Sequence, residues 1–174
     1  MRVRPAPYNG RVVALRYVYV LALVVWLGGM IVLGAVVAPA TFEVLQAADP
    51  ESGRLLAGEL FGTLIARFHY VAYASGGLLL VALAAMALLG PRPRGFAIRA
   101  SIVGVMLLVA AYSGSVVLRE IDAIQQEVGG LPSRLPETDA RRMRFDVLHE
   151  LSTRLMMINI AGALLLLYWE ARDG

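Results

Sequence analysis

Three uninterrupted runs of apolar, uncharged residues constrain this chain more than any other feature. They cover residues 18–39, 70–89 and 100–118, and a helix of about 20 such residues crosses the roughly 30 Å hydrocarbon core of a bilayer. A fourth, shorter run at 155–169 reaches across only when the helix is extended back to Glu150. We therefore predict a single membrane domain over residues 1–174, with spans at about 18–39, 70–89, 99–118 and 150–169.

Composition agrees with a lipid environment. Hydrophobic residues make up 59% of the chain, whereas soluble domains contain roughly 45–50%. The chain has no cysteine, which excludes disulfide scaffolds, thiolate nucleophiles and cysteine-ligated metal sites. We expect an all-α integral membrane protein, a four-helix up-down-up-down bundle.

Net positive charge is concentrated at one end of the predicted bundle. The N-terminal tail and the turn between the second and third spans carry arginines and no acidic residue: Arg2, Arg4, Arg11, Arg16, Arg92, Arg94 and Arg99. The two long connections at the other end carry more acidic than basic residues. The positive-inside rule then predicts cytoplasmic termini in a plasma (bacterial inner) membrane. The basic charge therefore indicates contact with anionic lipid headgroups, and no nucleic-acid partner is expected.

The two long connections have helical rather than loop-like patterns. Asp49-Pro50 is typical of a helix start, with Asp as N-cap and Pro at the first helical position. Residues 119–128 continue the third span until Gly129, and Thr138 is predicted to cap a helix that begins at Asp139. We expect these helices to project beyond the membrane on the non-cytoplasmic side.

The last span carries a polar face. Residues of small or polar character share one side of its helical wheel, which we call the polar seam: Phe145, His149, Ser152, Met156, Asn159 and Ala163. Asn159 lies at mid-membrane depth beside Trp26, to whose indole N–H it offers an acceptor, and Gly28 and Gly29 would permit the close approach. Tyr73 and Tyr112 are predicted to line the same seam. It is either a solute path or ligand cleft, or an ordinary buried helix face.

The two histidines are predicted at the same depth. His69 precedes the second span and His149 the fourth, on diagonal helices roughly 13 Å apart for ordinary helix spacing. That separation could hold a haem, and His149 with Met156 or Met143, or His69 with Glu59, could bind copper. Local hydrogen bonding of both imidazoles is the alternative.

Two stretches together resemble a known family. The motif Trp26-Leu27-Gly28-Gly29-Met30 and the segment from Phe145 to Ser152, followed by Asn159, are similar to the transmembrane protein 205-like family. That resemblance implies a four-span membrane domain of unknown function over nearly the whole chain. The Trp-Leu-Gly-Gly helix also resembles copper-resistance membrane proteins of the D type, which implies metal handling.

Three functional hypotheses follow. In the first, the protein is non-enzymatic and handles a small solute or ligand in the seam, since the sequence has no recognisable catalytic set. In the second, His69 and His149 bind haem or copper. In the third, the protein is an accessory subunit of a membrane complex whose projecting helices dock a partner or a second copy of the chain.

Overall fold

The computed structural model describes residues 10–90 and 92–173, and these contain helices and turns but no strand. Arg2 and Arg4, used above for orientation, lie outside the described residues. The α-helices in chain order are α1 (Gly10–Val32), α2 (Ala38–Ala48), α3 (Gly53–Leu89), α4 (Phe96–Tyr112), α5 (Leu118–Val128) and α6 (Ala140–Asp173). A short 3₁₀ turn occupies Pro132–Arg134.

Four continuous helical rods cross the molecule. Two π-helical segments, Leu33–Val37 and Ser113–Val117, join α1 to α2 and α4 to α5 without a break. The rods contain 39, 37, 33 and 34 residues, about 50–58 Å at 1.5 Å per residue. All four are long and apolar enough to cross a membrane, so the predicted all-α multi-pass membrane bundle is confirmed. Each rod exceeds the roughly 30 Å hydrocarbon core.

The four rods are arranged in a ring. α1 packs against α3 and α6, and α4 packs against the same two helices. α1 and α4 are therefore diagonal, as are α3 and α6. We call the end that holds the turn before α4 the terminal end, and the end that holds the turns at 49–52 and 129–139 the projecting end.

The core lies on the bundle axis within the apolar spans. It contains large side chains from every rod, including Trp26, Leu83, Met106 and Leu166, each almost fully buried. A separate apolar cluster at the projecting end joins α5 to α6 around Ile124 and Leu148. The bundle is therefore packed along most of its length.

The chain folds as two similar helical hairpins in tandem. The first contains α1, α2 and α3 (residues 10–89), and the second contains α4, α5 and α6 (residues 96–173). Buried positions of α1 recur in α4 80 residues later, so that Tyr19 corresponds to Arg99 and Trp26 to Met106. The two π segments and the 11-residue helices that follow them keep the same offset. In the returning helices α3 and α6 the offset is 84 residues, and it pairs buried Ser75 with buried Asn159.

Two predicted helix starts are wrong by a few residues. α3 begins at Gly53 instead of Pro50, because the Asp49 carboxylate accepts the N–H groups of Glu51 and Ser52 and closes a turn before the helix. α6 is capped by Asp139 rather than Thr138, since Asp139 Oδ1 accepts the Arg141 N–H at 2.8 Å. The same arginine also holds the pKa of Asp139 at about 2.

The predicted break after α5 is confirmed. α5 ends at Val128, and Gly129 follows in the left-handed conformation with φ at 62°. Glycine adopts this conformation without the steric penalty that a Cβ atom brings. The helix therefore stops where the sequence pattern changes.

Close packing of α3 against α4 depends on Gly76. A Cβ atom there would lie 2.4 Å from Leu107 Cδ2 and 2.9 Å from the Trp26 ring, whereas Gly77 has open space around it. Gly76→Leu should destabilise the bundle by about 1–3 kcal/mol through overpacking, measured as a lower thermal unfolding midpoint in detergent. Gly77→Leu is the matched control, and equal midpoints for the two variants would contradict this packing.

Candidate polar seam and projecting groove

The polar face of α6 is buried only in part of its length. Asn159 is 5% exposed and Ala163 fully buried, Met156 and Ser152 are half-buried, and His149 is exposed. The face therefore begins in the core and reaches the surface at the projecting end.

Asn159 does not have the hydrogen-bond partner that the sequence predicts. Its Oδ1 atom is buried, and no described residue donates a hydrogen bond to it, so the predicted bond from the Trp26 indole is not formed. The predicted role of the glycine pair also changes, because Gly29 packs against the Phe68 ring on α3 and a Cβ at Gly28 would contact nothing. The close approach in this region is thus between α1 and α3.

The second π segment brings a histidine and a tyrosine against the backbone. A Cβ atom at Gly114 would lie 2.7 Å from both His69 Cδ2 and the Tyr73 hydroxyl oxygen. The Tyr73 hydroxyl donates a 3.4 Å hydrogen bond to the Ala110 carbonyl. The contact at the first π segment is looser, since a Cβ atom at Gly34 would lie 3.5 Å from the Met156 methyl. π segments are frequent at functional sites, and the sequence pattern did not indicate either one.

The His69 ring is held by a hydrogen bond to the backbone of its own helix. Nδ1 lies 2.9 Å from the Ile65 carbonyl oxygen, and because a carbonyl only accepts, Nδ1 carries a proton. Nε2 therefore keeps its lone pair when the ring is neutral. The ring lies 6.0 Å from the Tyr73 ring.

His149 and Tyr112 lie nearer the surface. His149 is exposed and stacks on Phe145, with ring centroids 6.1 Å apart and ring planes at 10°. Tyr112 is 47% exposed. Among residues 10–90 and 92–173, no group of three or more His, Asp or Glu side chains is placed to hold a metal ion.

A buried ion cluster at the terminal end was missed by the sequence analysis. Glu170 on α6 accepts a hydrogen bond from Arg99 at 2.7 Å and another from Arg16, with the Arg99 and Glu170 side chains 3% and 8% exposed. Tyr19 is fully buried close to this cluster, and its hydroxyl group interacts electrostatically with both Arg99 and Glu170. The sequence carried one signal, since Glu170 falls on the same helical face as Asn159 and Ala163. The charge pattern by itself predicts topology and does not indicate this cluster.

The projecting end contains a polar groove between the hairpins. It has a volume of about 610 Å³ and separates the outer half of α3 from α5. Its polar lining consists of Glu59, Thr63, Arg67, Tyr70, Asp122, Gln125 and Gln126. Beyond the groove, Arg134 Nη2 donates a 2.5 Å hydrogen bond to the Glu51 carbonyl and joins the two hairpins.

Residues 21–129 match the model of a protein family, DUF4149, a domain of unknown function. The chain belongs to this family. The match runs from α1 through α5 and so includes Trp26, His69 and Tyr73. No curated protein and no solved structure matches the chain. The expected membrane domain of unknown function is therefore supported, whereas no named relative supports the transmembrane protein 205-like or copper-resistance assignment.

Neutralising two glutamates on α6 should lower the free energy of unfolding by different amounts, because only one of them belongs to the buried ion cluster. Glu170→Gln removes the buried carboxylate charge that accepts hydrogen bonds from Arg99 and Arg16, and loss of one member of a buried ion cluster should cost about 3–5 kcal/mol. Glu150→Gln breaks an exposed pair with Arg154, with side chains 65% and 70% exposed, and should cost at most about 1 kcal/mol. Thermal unfolding in detergent compares them, and similar midpoints would show that the cluster does not stabilise the bundle.

Proposed function

We propose that this membrane protein binds a small polar solute or ligand in the polar seam, without a catalytic step. The supporting observation is the Oδ1 atom of Asn159, a buried acceptor that no described residue satisfies. Leaving such an atom unpaired costs about 1–3 kcal/mol, so a donor from a bound molecule would recover that energy. Met156 and Ser152, half-buried on the same face, lead from Asn159 to the projecting end.

The π segments support this proposal. Each places a glycine at the outer boundary of a span, and the glycines face Met156 in one case and His69 with Tyr73 in the other. Polar side chains inside a membrane are costly and are usually retained for pathways or binding. His69, Tyr73 and Ser152 would then line the entrance, and Trp26 and Asn159 the inner part.

We further propose that the termini are cytoplasmic and that the seam opens away from the cytoplasm, with residues 1–174 acting as one domain. Arg11, Arg92 and Arg94 lie at the terminal end, whereas acidic residues predominate in the connections at the other end. This distribution supports that orientation in a plasma membrane.

Water in the seam can be measured with single cysteines, because the natural chain contains none. A charged methanethiosulfonate reacts with a thiolate, which forms readily in water and poorly in lipid. Ser152→Cys and Met156→Cys should react at least about tenfold faster than Met157→Cys and Ile158→Cys, which lie on the 53% and 49% exposed outer surface of the same helix. Equal rates at all four positions would indicate a closed, dry seam.

The same reagent, applied outside intact cells, tests orientation. Glu137→Cys at the projecting end should be labelled and Arg94→Cys should not. The opposite labelling would invert the proposed orientation without affecting the comparison within α6.

A second candidate function is haem or copper binding by His69 and His149. One observation favours it, namely the Nδ1–H bond of His69 to the Ile65 carbonyl. Metal-bound histidines commonly have this arrangement, which orients the ring and leaves Nε2 for the metal. The resemblance to copper-resistance proteins of the D type points in the same direction.

Visible spectra and metal analysis of the purified protein test this candidate. If the histidines bind haem or copper, a Soret band or stoichiometric copper should be present in the wild type and lost in both His69→Ala and His149→Ala. Met157→Ala, at an exposed methionine of α6 that is not a candidate ligand, is the control and should retain the Soret band or the copper. A wild-type protein that remains colourless and metal-free after incubation with haem and with Cu(I) would contradict the hypothesis.

A further inference from the structure

The groove at the projecting end is lined by α3 and α5 and contains none of the α6 residues of the polar seam. Its open space comes from glycines on both walls. A Cβ atom at Gly62 on α3 would meet nothing within 4 Å, and the same holds for Gly130 after α5. Gly58 comes close to the opposite wall, where its Cβ would lie 3.9 Å from Gln125 Nε2. A groove of about 610 Å³ falls in the size range of small-molecule sites.

The charged side chains of the groove make no ion pairs within the described part of the chain. Glu59 and Arg67 lie on the α3 wall and Asp122 on the α5 wall. The adjacent face of α5 behaves differently, because Glu120 forms a 2.7 Å salt bridge with Arg144 on α6. The groove thus presents two carboxylates and one guanidinium that are available to a ligand.

The depth of the groove places it at the membrane surface. Tyr70, at its inner end, is the first residue of the second apolar run and is 74% exposed. Asp122 lies about one turn beyond Leu118, where the third run ends. An exposed tyrosine at this level is typical of the headgroup region.

We propose that this groove binds a zwitterion that carries a primary ammonium group next to a phosphate or carboxylate. The ammonium group would donate hydrogen bonds to Glu59 and Asp122 from opposite walls, and the anionic group would accept from Arg67. Gln125 and Gln126 add amide donors and acceptors. This chemistry is shared by an ethanolamine phospholipid headgroup and by a free phosphoethanolamine or amino acid.

Affinity measurements on the full chain in detergent test the site. The probes are an ethanolamine phospholipid, the choline phospholipid with the same acyl chains, and free phosphoethanolamine. The ethanolamine lipid should bind at least about tenfold more tightly than the choline lipid, since a quaternary ammonium donates no hydrogen bond to a carboxylate. Gly62→Trp, which fills open space in the groove, should abolish this preference, and Arg67→Gln should weaken binding of the ethanolamine lipid about tenfold.

Gly77→Trp is the matched control, because Gly77 also has open space and lies on α3 outside the groove. It should retain the preference. Competition by phosphoethanolamine at comparable affinity would support a free solute as ligand, whereas binding of the lipid alone would support a headgroup. Equal affinity for the two lipids, or a preference that persists in Gly62→Trp, would overturn the proposal.

Discussion

Glu170 accepts hydrogen bonds from Arg16 and Arg99, and this contact connects three of the four rods at the terminal end. Buried charges are costly unless their partners are in place, so the cluster restricts how α1, α4 and α6 can slide or rotate relative to one another. At the projecting end the hairpins are joined by a bond between Arg134 and a backbone carbonyl. The bundle is therefore tied tightly at one end and contains an open groove at the other.

The two hairpins show how one architecture can carry different chemistry. Equivalent positions in α1 and α4 hold buried Tyr19 and buried Arg99, and equivalent positions in α3 and α6 hold Ser75 and Asn159. The π segments occupy the same place in both hairpins. Because repeats with the same membrane orientation meet along a common axis, ligand sites commonly form between them. The polar seam and the groove both lie where one hairpin faces the other.

Because the rods are longer than the hydrocarbon core is thick, each passes from a lipid environment into an aqueous one. Within the apolar spans, backbone groups must be satisfied inside the helix, so chemistry depends on a few side chains such as Asn159 and Tyr73. Beyond the bilayer, α5 has a polar face toward the groove and an apolar face toward α6. The seam is therefore suited to one small group, whereas the groove can accept several polar contacts at once.

Much of this fold could be predicted from the sequence, because runs of about 20 apolar residues permit only helices in lipid. The four rods, their alternating direction and the stop at Gly129 followed from hydropathy, chain length and backbone conformation. The sequence also singled out Asn159 and His69 as unusual. It did not determine their partners. Only the tertiary structure placed Gly29 against Phe68, Gly114 against His69 and Glu170 between two arginines, because these contacts depend on how helices distant in sequence rotate and slide against each other.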